Sequence, residues 1–347
     1  MTGPASMGGD PVSGPAPTGG EPLTEPAGLC AGRVVVVTGA GRGLGRAHAL
    51  AFAAAGACVV VNDCGVEPDG TGGSTGPAAR VAAEIAAAGG RAVANSDDVA
   101  DWAGAGRLVL TALRVFGRLD VLVNNAGFVR DRTLVNLTEA EWDAVVRVHL
   151  KGHFLPLRHA AGYWRERARA GEPVDARVIN TSSGAGLRGS VGQANYAAAK
   201  AGIAALTAVA AAELAWYGVT VNAIAPAART RMTERVFAAT MAPPETGFDA
   251  MAPENVSPLV VWLGSAASSY VTGRLFEVEG GVISLATGWR RGPCVARDRR
   301  WDPAELGPAV DRLLAEAPAP EPVYGTVVTR GDHCGPAAGP GRRVRPG

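Results

Sequence analysis

Residues 37–45 read VTGAGRGLG, and what stands on either side of them decides the fold. The run before them, RVVVV at 33–37, is β-branched with no polar alternation, as in a strand covered on both faces. The residues after them, 43–56, are alanine-rich and read as a helix. Gly39, Gly43 and Gly45 therefore fall between a strand and a helix. Glycines there let the backbone turn tightly and approach a pyrophosphate, which a helix N-terminus stabilises. A merely tight strand–helix turn would use the same residues, so the motif needs company.

The same alternation continues outward. Strands are predicted at 33–37, 58–62, 91–95, 119–124, 176–180, 219–224 and 275–279, and helices at 43–56, 77–88, 101–116, 139–170 and 194–217. Alternating β and α at this spacing predicts an α/β fold, a doubly wound, seven-stranded parallel sheet in one domain over 30–285. Residues 1–29 are dominated by Gly, Pro, Ser and Thr and are expected to form a disordered leader. Residues 286–317 are expected to be a helical extension, since 300–317 offers Asp302 as N-cap, Pro303 after it and an apolar stripe of Leu306, Val310, Leu313 and Leu314. Residues 318–347, again rich in Pro and Gly, are expected to be a flexible tail.

Composition excludes several function classes. A net charge of +1 leaves no electrostatic footprint for nucleic acid. Cys30, Cys58, Cys64, Cys294 and Cys334 lack C-x-x-C spacing, so no metal site is expected and the thiols suit a reducing, cytoplasmic setting. No run approaches 18 apolar residues, and the N-terminus lacks a signal-peptide layout, so no membrane association is expected.

Three further features carry chemistry. Asn62–Asp63 ends the second strand, and a carboxylate about 20 residues past such glycines suits an adenosine ribose hydroxyl, although a cap or loop role fits Asp63 equally well. The fourth strand delivers NNAG (124–127) at its carboxyl end, where open α/β sheets bind ligands. Within VGQANYAAAKAG (191–202), Tyr196 and Lys200 share one face of a helix, and an ammonium beside a phenol favours the phenolate. An ordinary core tyrosine with a snorkelling lysine is the bland alternative.

The ordered set, T-G-x-x-x-G-x-G at Thr38–Gly45, N-N-A-G at Asn124–Gly127 and Ser183 thirteen residues before Tyr196-x-x-x-Lys200, resembles the short-chain dehydrogenase/reductase family over roughly 31–285. The resemblance implies a Rossmann-like sheet and an oxidoreductase acting on CH–OH donors. It implies that Tyr196 exchanges the hydroxyl proton, Lys200 tunes it and holds the nicotinamide ribose, and Ser183 hydrogen-bonds the reacting oxygen. The family's dinucleotide contacts carry over to Gly39, Arg42, Gly43, Leu44, Gly45, Asp63, Asp98, Val99, Asn125, Ala126, Gly127, Tyr196 and Lys200. NAD is expected over NADP, and a homodimer or homotetramer follows by analogy.

Two departures are informative. Where many members place an asparagine that kinks a helix and helps hold a water, this chain has VHLKGHF, with His149 as a relay candidate that can donate to a water, titrate near neutrality or simply pack. Ala227 stands where the family often has glycine. With the stretch VNDCGVEPDGTGGSTGPA after the second strand, these features are most similar to the (3R)-hydroxyacyl-CoA dehydrogenase domain of peroxisomal multifunctional enzyme type 2 and its bacterial single-domain relatives. That similarity implies a small-molecule or carrier-bound acyl substrate, a 3-hydroxyacyl-CoA or related thioester. Met232, Phe237, Met241, Phe248 and Met251 in 230–251 suit a mobile cover over an apolar substrate or plain packing. The rival readings are an NADP-dependent reductase of ketoacyl-carrier protein, polyketide or steroid, an enzyme that keeps NAD under residues 64–76 through turnover, and a non-catalytic dinucleotide sensor.

Overall fold

In the computed structural model, which describes residues 28–66, 72–230, 233, 241–319, 321 and 323, the chain builds one continuous sheet. Its strands are β1 (Val34–Thr38), β2 (Cys58–Asn62), β3 (Arg91–Asn95), β4 (Val121–Asn124), β5 (Ala176–Thr181), β6 (Val219–Ala227), β7 (Leu275–Glu279) and β8 (Val282–Ala286). The spatial order is 3-2-1-4-5-6-7-8, so the winding reverses between β1 and β4, and a crevice opens there at the carboxyl ends of the strands.

Among the described residues there are eight strands rather than the seven expected. Seven are parallel, as read from the sequence, and β8 returns antiparallel along β7 through the pair Gly280–Gly281. Gly280 has φ +55°, a conformation open to glycine, which lets two residues close the hairpin. β8 lies at the sheet edge, where Val282, Ile283 and Leu285 are each about half exposed.

Helices α1 (Gly43–Ala54), α2 (Gly76–Ala87), α3 (Trp102–Phe116), α4 (Glu139–Val146), α5 (Gly152–Arg169), α6 (Gly184–Arg188), α7 (Ala194–Leu214), α8 (Ser257–Gly264) and α9 (Leu306–Glu316) flank the sheet or extend from it. Alternate residues of β1 face two cores. Val35 and Val37 pack with Phe52, Ile85 and Leu263, while Val34 and Val36 pack with Leu108, Leu157 and Trp164. This two-sided burial is why the strand sequences show no polar alternation.

The single helix expected over 139–170 is broken. Residues Arg147–Lys151 form a π-turn between α4 and α5. The apolar periodicity carries straight through, because one wide turn shifts the register without changing residue types. The span Ala194–Tyr217 is long and apolar enough to cross a membrane by length and composition alone. It instead packs along β5 and β6, with Asn195, Lys200 and Thr207 buried. Asp302 accepts from Ala304 N at the start of a short turn that leads into α9. In the expected flexible tail, Glu321 pairs with Arg188 of α6 at 2.9 Å, so that part is anchored.

Candidate active site

The crevice holds a cavity of about 490 Å³. Gly39, Arg42, Gly43, Leu44, Gly45, Asp63, Asp98, Val99, Asn125, Ala126 and Gly127 all line it. Two loops interlock to make its floor. Thr38 Oγ1 accepts from the amides of Asn125 and Ala126 at 2.9 and 3.1 Å, and Asn125 Nδ2 donates back to Thr38 O at 3.0 Å. The approach is so close that a β-carbon on Gly39 would lie 2.7 Å from Ala126 Cα, and one on Gly45 would lie 2.2 Å from Gly39 O. These glycines are fixed by contact between main chains, and the first also by φ +61°.

At the end of β2, Asp63 is held on both oxygens. Oδ2 accepts from Gly41 N at 2.8 Å and Oδ1 from Gly65 N at 2.7 Å. Arg42 Nη1 donates to Val66 O at 3.2 Å, turning toward the segment after β2. Cys64, Val66, Gly72 and Gly73 of that segment also line the cavity, whereas 67–71 lie outside the described residues. The sequence signalled this only through the length of the stretch between β2 and α2. Asp98 is braced by Ala100 N and by Arg147 of the π-turn, and Arg147 and Val148 also line the cavity. Neither was expected, because the break in the helix that aims them was not visible in the residue pattern.

Tyr196 and Lys200 do not line that cavity. They stand on α7, joined to it through Phe128 and His149, whose ring meets the Tyr196 ring edge-on at 5.1 Å between centroids. Lys200 Nζ lies 5.5 Å from the Tyr196 ring centroid and donates to Thr181 O at 2.6 Å. Burial pulls its ammonium down to about 7. Ser183 caps α6, its Oγ accepting from Ala185 N at 3.2 Å. Helix α6 sits tight against α7, since a β-carbon on Gly186 would lie 2.6 Å from Lys200 C. Ser182 Oγ donates to Lys200 O at 2.9 Å, a second tie between β5 and α7. These contacts hold the helix that Ser183 caps against the helix of the Tyr196–Lys200 pair.

His149 does not titrate near neutrality. It is buried in the π-turn, and burial first, then Lys200, pull it down to about 3. Of the proposed cover, Met232 and Phe237 lie outside the described residues, Met241 is buried and Phe248 is exposed. Arg229 ties the two ends of that segment, donating to Met241 O and pairing with Asp249. Ala227 is the last residue of β6, paired with Glu279 of β7. No group of three or more potential metal ligands occurs among the described residues.

A glycine cradle with room for a phosphate, a strand-end carboxylate that accepts and a buried lysine that donates beside a tyrosine suit a dinucleotide. The model of the short chain dehydrogenase family matches residues 33–240. The chain is 47% identical over 279 residues to the hydroxyacyl-CoA dehydrogenase ChsB1 of Mycobacterium tuberculosis, covering 80% of this chain and 86% of that one. It is 46% identical over 260 residues to peroxisomal multifunctional enzyme type 2 of Mus musculus, covering 75% of this chain and 33% of the mouse enzyme. A crystal structure of a short chain dehydrogenase from Mycobacterium avium superposes with a TM-score of 0.78 at 62% identity, covering 86% of this chain and 100% of that one. The chain belongs to the short-chain dehydrogenase family. It is an oxidoreductase that interconverts a secondary alcohol and a ketone with a nicotinamide dinucleotide.

Proposed function

We propose that the protein is an NAD-dependent dehydrogenase of 3-hydroxyacyl thioesters, with Ser183, Tyr196 and Lys200 as its catalytic residues. The observation that supports the catalytic part is the packing of α6 on α7 at Gly186 and Lys200, which brings the helix capped by Ser183 against the helix that carries the tyrosine–lysine pair. The thioester rests on the name of the mycobacterial relative and on the similarity of the segments around His149 and Tyr196.

The glycine loop and Asp63 would hold the dinucleotide, and Lys200 its nicotinamide ribose. Bound there, the dinucleotide supplies the carbon that accepts or gives hydride. The chain itself handles the oxygen and the proton. Ser183 Oγ hydrogen-bonds the reacting oxygen. Tyr196 Oη takes the hydroxyl proton on oxidation and returns it on reduction. A free phenol has a pKa of about 10 and is a poor base near neutrality. The Lys200 cation close to it favours the phenolate. Hydroxyl groups accepting from Lys200 would in turn favour its charged form over the neutral one that burial favours.

Asp63 supports NAD over NADP. Unpaired thiols at Cys30, Cys58, Cys64 and Cys294 are in keeping with a cytoplasmic protein. The exposed alanines of α7, Ala198, Ala201, Ala205, Ala208 and Ala212, would allow close contact in a homodimer or homotetramer. The decisive experiment follows NADH absorbance with 3-hydroxyacyl-CoA, the free 3-hydroxy acid and a steroid alcohol. A remote carrier can be used to orient the reacting carbon, so the thioester should exceed the free acid in kcat as well as in affinity. Equal kcat/KM for the two would remove the thioester from the proposal.

A further inference from the structure

The turn after β4 and the catalytic helix meet through one side chain. His149 is the central residue of the π-turn Arg147–Lys151, and such turns are frequent at functional sites. The ring is buried, with 1% of its surface exposed. Its Nε2 lies 2.6 Å from Phe128 O and 3.1 Å from Phe128 N. The ring edge abuts Tyr196 at an interplanar angle of 89°. On the cofactor side it fills the space a side chain at Gly127 would need. A β-carbon there would lie 2.1 Å from His149 Cε1 and 2.8 Å from Nδ1. Gly127 has no left-handed φ, so the imidazole and not the backbone demands a glycine.

Only a protonated Nε2 can make the 2.6 Å contact to Phe128 O, and it then forgoes the bond from Phe128 N at 3.1 Å; that tautomer leaves Nδ1 as a buried acceptor with no partner among the described residues. Besides the Tyr196 phenol, the titratable groups beside the ring are Lys200 and His153. Lys200 disfavours a charge on either imidazole, and His153 is itself buried and held well below the usual histidine range. An uncharged imidazole whose only N–H is committed to a carbonyl has no proton to pass on.

We propose that His149 is a positioning residue, a wedge that sets the spacing between the Gly127–Phe128 turn lining the dinucleotide cavity and the ring of Tyr196, and that Gly127 is its obligate counterpart. The role of Tyr196 in this statement rests on the proposed function. The wedge itself rests on the contacts alone, and binding can therefore test it without turnover.

The test is a double-mutant cycle read by NADH fluorescence titration and by kinetics with a 3-hydroxyacyl-CoA. Gly127→Ala should weaken NADH binding about tenfold or more, because the new methyl meets the ring. His149→Ala should lower kcat more than it changes NADH affinity. In the double variant the methyl has room, so NADH affinity should return to within about threefold of His149→Ala alone, a non-additivity expected only of groups in contact. His149→Asn, which retains an N–H for Phe128 O, should recover part of the lost kcat, and the inflections of the pH–rate profile should stay where they are in the unmodified enzyme. Additive losses in the cycle, or a profile whose inflection moves with His149, would overturn the wedge. If Gly127→Ala does not fold, the double variant should fold, and its failure to do so would also overturn it. Absence of turnover in the unmodified enzyme would count against the proposed function and leave the binding cycle readable.

Discussion

The two halves of the sheet hold their ligand-facing surfaces in different ways. On the β3-β2-β1-β4 side, main chain packs against main chain. Gly39 and Gly45 sit where a β-carbon would strike the main chain of Ala126 or of Gly39 below 3 Å. On the β5-β6-β7-β8 side, Gly186 of α6 meets the main chain of α7 at Lys200, and elsewhere long side chains do the holding. Arg188 of α6 grips Glu277 of β7 through two bonds of 2.6 Å, and Arg229 pairs with Asp249 across the segment after β6. A main-chain contact tolerates one residue type and leaves a spaced trace in the sequence. A side-chain pair tolerates many and leaves none.

That contrast is broken most sharply at the one place where the second half uses an irreplaceable group. Tyr196→Phe should lower kcat by roughly 10²–10⁴, the usual contribution of a positioned acid–base group. NADH affinity should be nearly unchanged, since Tyr196 does not line the cavity. Stopped-flow turnover and fluorescence titration check the two halves separately. A variant with near wild-type kcat would make the tyrosine structural.

Two glycines of the same loop sharpen the first half of the comparison. A β-carbon on Gly45 would lie 2.2 Å from Gly39 O and 2.6 Å from Asn125 Nδ2, so Gly45→Ala must push the two loops apart. Overpacking of this kind costs about 1–3 kcal/mol, or up to roughly a hundredfold in dinucleotide affinity if the strain falls on the cradle. Gly43 has φ +50° but meets nothing closer than Thr230 at 3.7 Å. Gly43→Ala should therefore suffer only the left-handed backbone penalty, about 1–2 kcal/mol. Isothermal titration with NADH ranks them, and a larger loss at Gly43 would show that conformation outweighs contact here.

The same distinction explains which parts of the fold are legible in the sequence. The strands, the cradle and the NNAG turn follow from glycine spacing and β-branched runs, which depend on neighbours near in sequence. The π-turn at Arg147–Lys151 does not, because its cause is tertiary: His149 is drawn to Phe128, 21 residues away. Arg188 and Glu277 are 89 residues apart, and each alone looks like an ordinary surface charge. Strand β8 went unread for the opposite reason: an edge strand needs no buried alternation to form.

Lys200 offers a smaller effect with a definite sign. Its ordinary value of 10.5 applies to the unfolded chain, and burial brings it to about 7 in the fold. Between those pH values the unfolded chain binds a proton that the native protein lacks, so stability rises with pH across the window. Below about 7 both states are charged and the full burial penalty stands. The slope approaches about 1.4 kcal/mol per pH unit inside the window. Cys30, pushed up to about 11 by burial, opposes it above pH 9. The ligand-free enzyme and Lys200→Met should therefore be compared by denaturant unfolding from pH 7 to 9. Parallel curves would mean that water reaches the ammonium.

The smallest effect concerns the cofactor, where two residues of the main-chain half pull in opposite directions. Asp63 is pinned by Gly41 N and Gly65 N, with its carboxylate fixed beside the glycine loop. A 2′-phosphate brought there would meet a like charge that cannot swing away, a juxtaposition worth several kcal/mol when unscreened. Arg42 could in principle compensate, but its guanidinium already reaches Val66 O on the segment after β2. A carboxylate held at two points should outweigh an arginine engaged elsewhere. Even partly screened, the clash should favour NAD by at least roughly tenfold in kcat/KM. Asp63→Ala should narrow that ratio, while Asp63→Asn, which keeps an oxygen for one of the two amides, separates charge from loop geometry. Arg42→Ala should hardly change NAD use. The check is one substrate with both dinucleotides across the three variants, and an NADP preference in the unmodified enzyme would show that Arg42, not Asp63, governs the site.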